Sequence, residues 1–124
     1  VRPGQLIARL DPQNEESGVQ AARAQLSAAQ ARRIEAQSNF ERMRDLVRMV
    51  RQDCGACHGL TLKGGLGPAL LPETLRAKPA ESLRYTVLLG RPGTPMPPWN
   101  TFLTEAEADW IVRQLMTGFP EEIR

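Results

Sequence analysis

The hydrophobic pattern divides the chain into two unlike parts. After a Pro3-Gly4 turn, Leu6, Ala8 and Leu10 alternate with Ile7 and Arg9, which predicts one short strand or extended segment. Asp11-Pro12 then supplies an N-cap and a first helical residue. From there to Asp53 no proline interrupts and Gly18 is the only glycine, so a helix of about 40 residues is predicted, reaching about 60 Å at 1.5 Å per residue. Val19, Ala22, Leu26, Ala29, Arg33, Ala36, Phe40, Met43, Val47 and Val50 keep a 3-4 spacing broken only by Arg33. Such a seam fits a coiled coil and calls for a partner helix that the chain does not contain. A solvated Ala-rich and Arg-rich helix with no specific partner is the plainer alternative.

Beyond residue 53 the elements shorten. Pro72-Glu73-Thr74-Leu75 opens a short helix, and Pro79 to Leu89 places Leu83, Val87 and Leu88 in helical register before stopping at Gly90. Thr104 and Glu107 are spaced as a capping box for a last helix whose buried stripe is read as Trp110, Ile111 and Leu115. The expected fold is all-α, with an extended segment and long helix over 1–41 and a small helical domain over 42–124.

Chemistry concentrates in Cys54-Gly55-Ala56-Cys57-His58. This run uses both cysteines and the only histidine in the order C-x-x-C-H that attaches a c-type haem. Two thiols three residues apart lie on one side of a helical turn, so each can add to one haem vinyl group, and the next residue can reach the iron as proximal ligand. Three other readings compete. A structural zinc needs four ligands, and no further Cys or His exists. A dithiol redox pair belongs between a strand and a helix, whereas helix precedes Cys54 here. A disulfide across two intervening residues is strained.

Composition adds limits. Residues 1–50 carry eight basic and six acidic groups and residues 51–124 eight of each, so there is no basic face for nucleic acid to be inferred. No run of about 18 apolar residues is present to span a membrane. The chain starts at Val1 without an initiator Met or an export signal, which is expected of a processed product or a piece of something longer. Three Phe, one Tyr and two Trp give a marginal core, so the second half is expected to need haem in order to fold.

Two family resemblances extend this reading. V-R-P-G-Q-L-I-A-R-L-D-P at 1–12 and the stretch from A-R-A-Q-L-S-A-A-Q-A to N-F-E-R-M-R-D-L at 22–46 resemble periplasmic adaptor (membrane fusion) subunits, in which a second antiparallel helix comes next. Here Cys54 arrives instead. From about Arg42 onwards the chain resembles a class I monohaem cytochrome c. That resemblance implies one covalent haem c per chain, with Cys54 and Cys57 as thioether donors and His58 as iron ligand. It also implies that the Pro68 carbonyl orients His58, and that Arg91-Pro92-Gly93-Thr94-Pro95-Met96-Pro97-Pro98-Trp99 forms the distal loop, with Met96 as sixth ligand. Local physics agrees on Met96. Met43, Met49 and Met116 fall on helices, whereas Met96 sits in a loop fenced by prolines that limit its freedom. An open sixth position is the alternative, suited to ligand binding or peroxidatic chemistry.

Trp99 is expected to line the haem pocket or a propionate, and Arg91 either pairs with a propionate or is solvated. In the family the last helix crosses the first, which would set Trp110 near Phe40, Met43 or Val47. Within cytochromes, D-C-G-A-C-H-G at 53–59, G-G-L-G-P-A-L at 64–70 and G-R-P-G-T-P-M-P-P-W at 90–99 are similar to small periplasmic cytochromes associated with haem-d nitrite reductase. The implied role is periplasmic electron transfer between redox proteins, by a carrier or by the electron-receiving domain of a larger enzyme. The alternative is a structural or adaptor module, acting through a coiled-coil partner or homo-oligomer, that carries haem as sensor or passenger.

Overall fold

The computed structural model describes residues 1–122. Among the described residues there are five α-helices, α1 (Pro12–Met49), α2 (Gly55–His58), α3 (Pro72–Leu75), α4 (Ala80–Leu89) and α5 (Glu105–Thr117), with a π-helical turn over Val50–Cys54 between α1 and α2. The chain divides into two compact units, Val1–Phe40 and Glu41–Arg124.

In the first unit the alternation at residues 6–10 does not become a strand. No strand exists among the described residues, and the segment is held only by the Pro3-Gly4 turn, where the Gln5 amide donates to the Arg2 carbonyl at 3.0 Å. A strand must bond its N–H and C=O groups to a neighbour, and none pairs with it. Leu6, Ile7 and Leu10 accordingly remain 69%, 82% and 74% exposed. The helix begins where the sequence places it: Pro12 is its first residue, and Asp11 Oδ1 accepts the Gln13 amide at 3.0 Å. From Pro12 to Phe40 every residue is exposed.

The second unit holds the core. Leu46, Val50, Leu62, Leu75, Leu103, Ile111 and Leu115 form one buried cluster. Each fully buried Leu, Ile or Val contributes about 1.5–3 kcal/mol. The predicted capping box is present: Thr104 Oγ1 accepts the Glu107 amide at 3.2 Å, and Glu107 Oε2 accepts the Thr104 amide at 2.9 Å. The buried stripe of α5 is Ala108, Ile111, Val112 and Leu115. Trp110 departs from the expected stripe. It is partly buried against the cluster, and its ring meets that of Phe119 edge-on with centroids 6.4 Å apart; of the three neighbours expected for it, Phe40 and Met43 are 52% and 45% exposed and Val47 is 4% exposed.

Three arginines tie the end of α1 and the π turn to the C-terminal part of this unit. Arg42 makes a two-pronged pair with Glu107, at 2.6 and 2.9 Å, and also donates to the Phe102 carbonyl at 3.3 Å. Arg48 pairs with Glu122 at 3.1 Å. Arg51 donates to the carbonyls of Phe119 and Pro120 at 3.0 and 2.9 Å and lies over the Phe119 ring. No helix is long and apolar enough to cross a membrane among the described residues.

Candidate functional site

The α-helical register of α1 stops at Met49, five residues before Cys54, and the π turn from Val50 takes it over. A π turn adds a residue to the helical circuit and so rotates the downstream residues relative to an uninterrupted α-helix. Val50, at its start, is 1% exposed; Cys54 closes the turn and the short helix α2 then presents Cys57 and His58, and all three of these side chains are partly buried. Periodicity predicted a helix running straight into the motif. The departure carries no sequence signal, because π and α turns accept the same residues.

Both thiols are free. Burial, helped by the nearby Asp53 carboxylate, pushes the Cys54 thiol up to about 11. A redox dithiol needs the opposite, an activated thiolate with a lowered pKa, so the environment of Cys54 disfavours that reading. For zinc, the described residues bring no cluster of three or more His, Cys, Asp or Glu side chains together.

His58 is fixed from two directions. Its Nδ1 lies 2.7 Å from the Pro68 carbonyl, which makes Nδ1 the protonated donor and leaves Nε2 with its lone pair free for a metal. Gly67 lies against the ring. A Cβ at that position would fall 2.7 Å from Cε1 and 2.8 Å from Nδ1, closer than any side chain can approach. The loop that brings these residues back is itself bonded to the motif: the Gly64 amide donates to the His58 carbonyl and the Gly67 amide to the Cys57 carbonyl, both at 2.8 Å. Leu62 anchors it, 2% exposed and at φ 60°, a conformation a leucine holds only when its surroundings enforce it. Pro68 is the partner the resemblance implies; the closeness of Gly67 to the ring is the feature that sequence reasoning missed.

Met96 sits in a loop pinned at both ends. Gly90 has φ +69°, and a Cβ there would come within 2.7 Å of the Met96 carbonyl, so only glycine lets the two segments meet. The Arg91 amide donates to the Met96 carbonyl at 3.1 Å, and the Met96 amide donates to Thr94 Oγ1 at 3.3 Å. Beyond it the Trp99 amide donates to the Val87 carbonyl at 3.1 Å. Met96 is partly buried, although residues 91–95, 97 and 98 around it are exposed. Trp99 packs partly buried against the core, with its ring centroid 5.9 Å from that of Phe102. Arg91 is exposed.

The wrapper around these groups is incompletely covered. Helix α4 contains Leu83, Tyr85, Val87, Leu88 and Leu89, yet none of its residues is buried. Leu60, Leu66, Tyr85, Leu89 and Phe102 are 50–93% exposed. A large apolar group with two thiol-reactive edges and a metal at its centre fits both the donors and this bare surface. The class so defined is a c-type cytochrome.

The comparisons with known proteins agree. The chain belongs to the family described as cytochrome C oxidase, cbb3-type, subunit III, whose profile matches residues 41–113. It is similar to cytochrome c55X of Pseudomonas aeruginosa, 60% identical over 77 residues that make up 62% of this chain and 65% of that protein. The match therefore spans just under two thirds of that relative's length. Among solved structures it is similar to the c-type cytochrome NirC, with a TM-score of 0.63 and 57% identity over 64% of this chain and 93% of that one. It is also similar to dihydro-heme d1 dehydrogenase NirN in complex with DHE, with a TM-score of 0.54 and 40% identity over 62% of this chain and 17% of that one. As a cytochrome c of this family the chain carries covalent haem c, for which Cys54 and Cys57 are in place.

Proposed function

We propose that residues 42–124 form a periplasmic one-electron carrier serving the haem d1 system, with a nitrite reductase or another respiratory protein as partner, and that His58 and Met96 hold its iron. The observation that carries the ligand assignment is the 2.7 Å contact between His58 Nδ1 and the Pro68 carbonyl, which dedicates one ring nitrogen to the protein and the other to the metal. Haem c supplies a one-electron iron couple when bound. The protein's residues do the rest. Cys54 and Cys57 fix the macrocycle's edge, Pro68 and Gly67 set the imidazole plane, and the bonded loop around Met96 holds a thioether ready with little entropy left to lose. Trp99 lines the pocket and Arg91 faces a propionate. The likeness to NirC and to part of a dihydro-heme d1 dehydrogenase supports the choice of system.

Replacing Met96 by Ala tests the ligand assignment. The expected result is loss of the far-red sulfur-to-iron charge-transfer band of the oxidised protein, carbon monoxide binding to the reduced form, and a potential lower by on the order of 0.1–0.3 V, within the about 0.8 V range that axial ligands command. An unchanged spectrum would refute Met96.

A second reading concerns residues 1–41. Val19, Leu26 and Phe40 are 50–59% exposed along the predicted seam, which supports a helix that pairs with a second helix, in a homo-oligomer or with another protein.

A further inference from the structure

Residues 17–40 belong to one uninterrupted stretch of α1, and every side chain there is exposed. Val19, Leu26 and Phe40 recur on a seven-residue spacing, with Ala22, Ala29 and Ala36 in the alternate places of the same row. On a straight helix that spacing drifts by about 20° per heptad, so the three large side chains stay within about 60° of one another. They are 50%, 59% and 52% exposed. The next member of the row, Val47, is 4% exposed inside the second unit, so the same spacing is covered where a packing partner exists.

Charge beside this row has one sign. With Val19 and Leu26 at heptad position a, the flanking e and g positions between residues 17 and 40 hold Arg23 and Arg32 and otherwise only Gly, Gln and Asn. Arg33 occupies an a position within the row itself, and the one carboxylate of the stretch, Glu35, falls at c, away from the seam. None of the three arginines makes an ion pair among the described residues. This pattern disfavours a second copy as the partner. A parallel, in-register pair sets Arg33 against its own counterpart at the centre of the seam and Arg32 beside Gln37 at its edge. An antiparallel pair sets e beside e and g beside g, and between residues 17 and 40 neither set holds a carboxylate. Either arrangement draws cations into the contact with no anion to answer them, which costs stability.

We propose that residues 17–40 pair with a helix of a different protein, one that lays large apolar side chains against the alanines and carries Glu or Asp beside them, opposite Arg23 and Arg32 and within reach of Arg33. The proposal rests on the helix-pairing reading of residues 1–41 above and adds the chemistry of the partner. Alanine at each d position leaves room for a larger side chain from the facing helix, so the apolar contact supplies affinity. Carboxylates across from three unanswered guanidinium groups supply the choice of partner, because arginine forks onto a carboxylate with two parallel hydrogen bonds and repels a cation in the same place.

The test uses the complete haem-loaded chain and two labelled synthetic helices of about four heptads with leucine at every seam position. One carries Glu and the other Lys at all flanking positions, so that neither pairs with itself at low salt. Binding is read by fluorescence anisotropy and the mass of the chain alone by light scattering. The glutamate helix is expected to bind about tenfold more tightly than the lysine helix, with a preference that shrinks as salt rises, and the chain alone to be a monomer. Arg23→Glu with Arg32→Glu is expected to reverse the preference. Arg23→Gln with Arg32→Gln, which keeps good helix formers in place, is expected to remove most of it, and Leu26→Asp to weaken the binding of both helices. The visible spectrum is expected to be the same in every variant. Equal binding of the two helices, tighter binding of the lysine helix, or a dimer of the chain alone overturns the acidic partner and leaves the pairing reading standing. A monomer that binds neither helix overturns the pairing reading as well, so the two failures are told apart.

Discussion

Helix α1 shows the same hydrophobic spacing at both ends and two different outcomes. Between Pro12 and Phe40 its apolar positions are exposed, with Val19 at 50% and Leu26 at 59%, whereas Leu46, Val47 and Val50 are 3%, 4% and 1% exposed. Local propensity is not what separates them, since both stretches are good helix formers. The second meets α5 residues in a common core and the first has no such partner in its unit. A 3-4 repeat therefore announces a face that wants covering, and the rest of the sequence decides whether it is covered.

Removing the haem sharpens that contrast most. Cys54→Ser with Cys57→Ser should abolish covalent haem by mass spectrometry and remove the cooperative melt of residues 41–122, while circular dichroism keeps the helix signal of residues 12–40. A cooperative native state without haem would break the comparison. Next in size is Gly67→Ala. Its Cβ would fall 2.7 Å from His58 Cε1, so the ring or the loop must move, at a cost of about 1–3 kcal/mol in a thermal melt and with a shifted His58 Nδ1 proton in NMR spectra.

The Arg42–Glu107 pair gives a smaller effect with a defined pH sign. Its hydrogen bonds from Arg42 hold the Glu107 carboxyl at about 2, below the usual 4.5. The stability it contributes is complete above about 4.5, declines as the pH falls below that value, and is lost as it drops through about 2. The Arg42 side chain is 44% exposed, so water screens the pair and Arg42→Met should cost about 1 kcal/mol at neutral pH, less near pH 2. Smallest in the melt is Leu26→Asp, expected to move the haem unit by less than about 0.5 kcal/mol and to leave its visible spectrum unchanged. If residues 12–40 pair with a second copy, the same substitution lowers the mass measured by light scattering. An unchanged mass would exclude the second copy.

Much of the site was legible because its chemistry is local. C-x-x-C-H needs only three side chains at fixed spacing, the Thr104–Glu107 box spans one turn, and Asp11-Pro12 starts a helix by its own geometry. The misses were not local. The alternation at residues 6–10 reads as a strand but forms none, because no second strand meets it. The stripe of α5 runs through Ala108 and Val112 rather than Trp110, because the position of the core, not the size of the side chain, picks the buried face.

The order of residues by itself determined that this chain binds haem covalently and where α1, α3, α4 and α5 begin. Only the tertiary structure decided that the helix gives way to a π turn before Cys54, that Gly67 lies against the His58 ring, and that Arg42 reaches Glu107. The reason is range: capping, spacing and charge act over a turn or two of chain, whereas packing joins residues dozens of positions apart whose meeting no local pattern encodes.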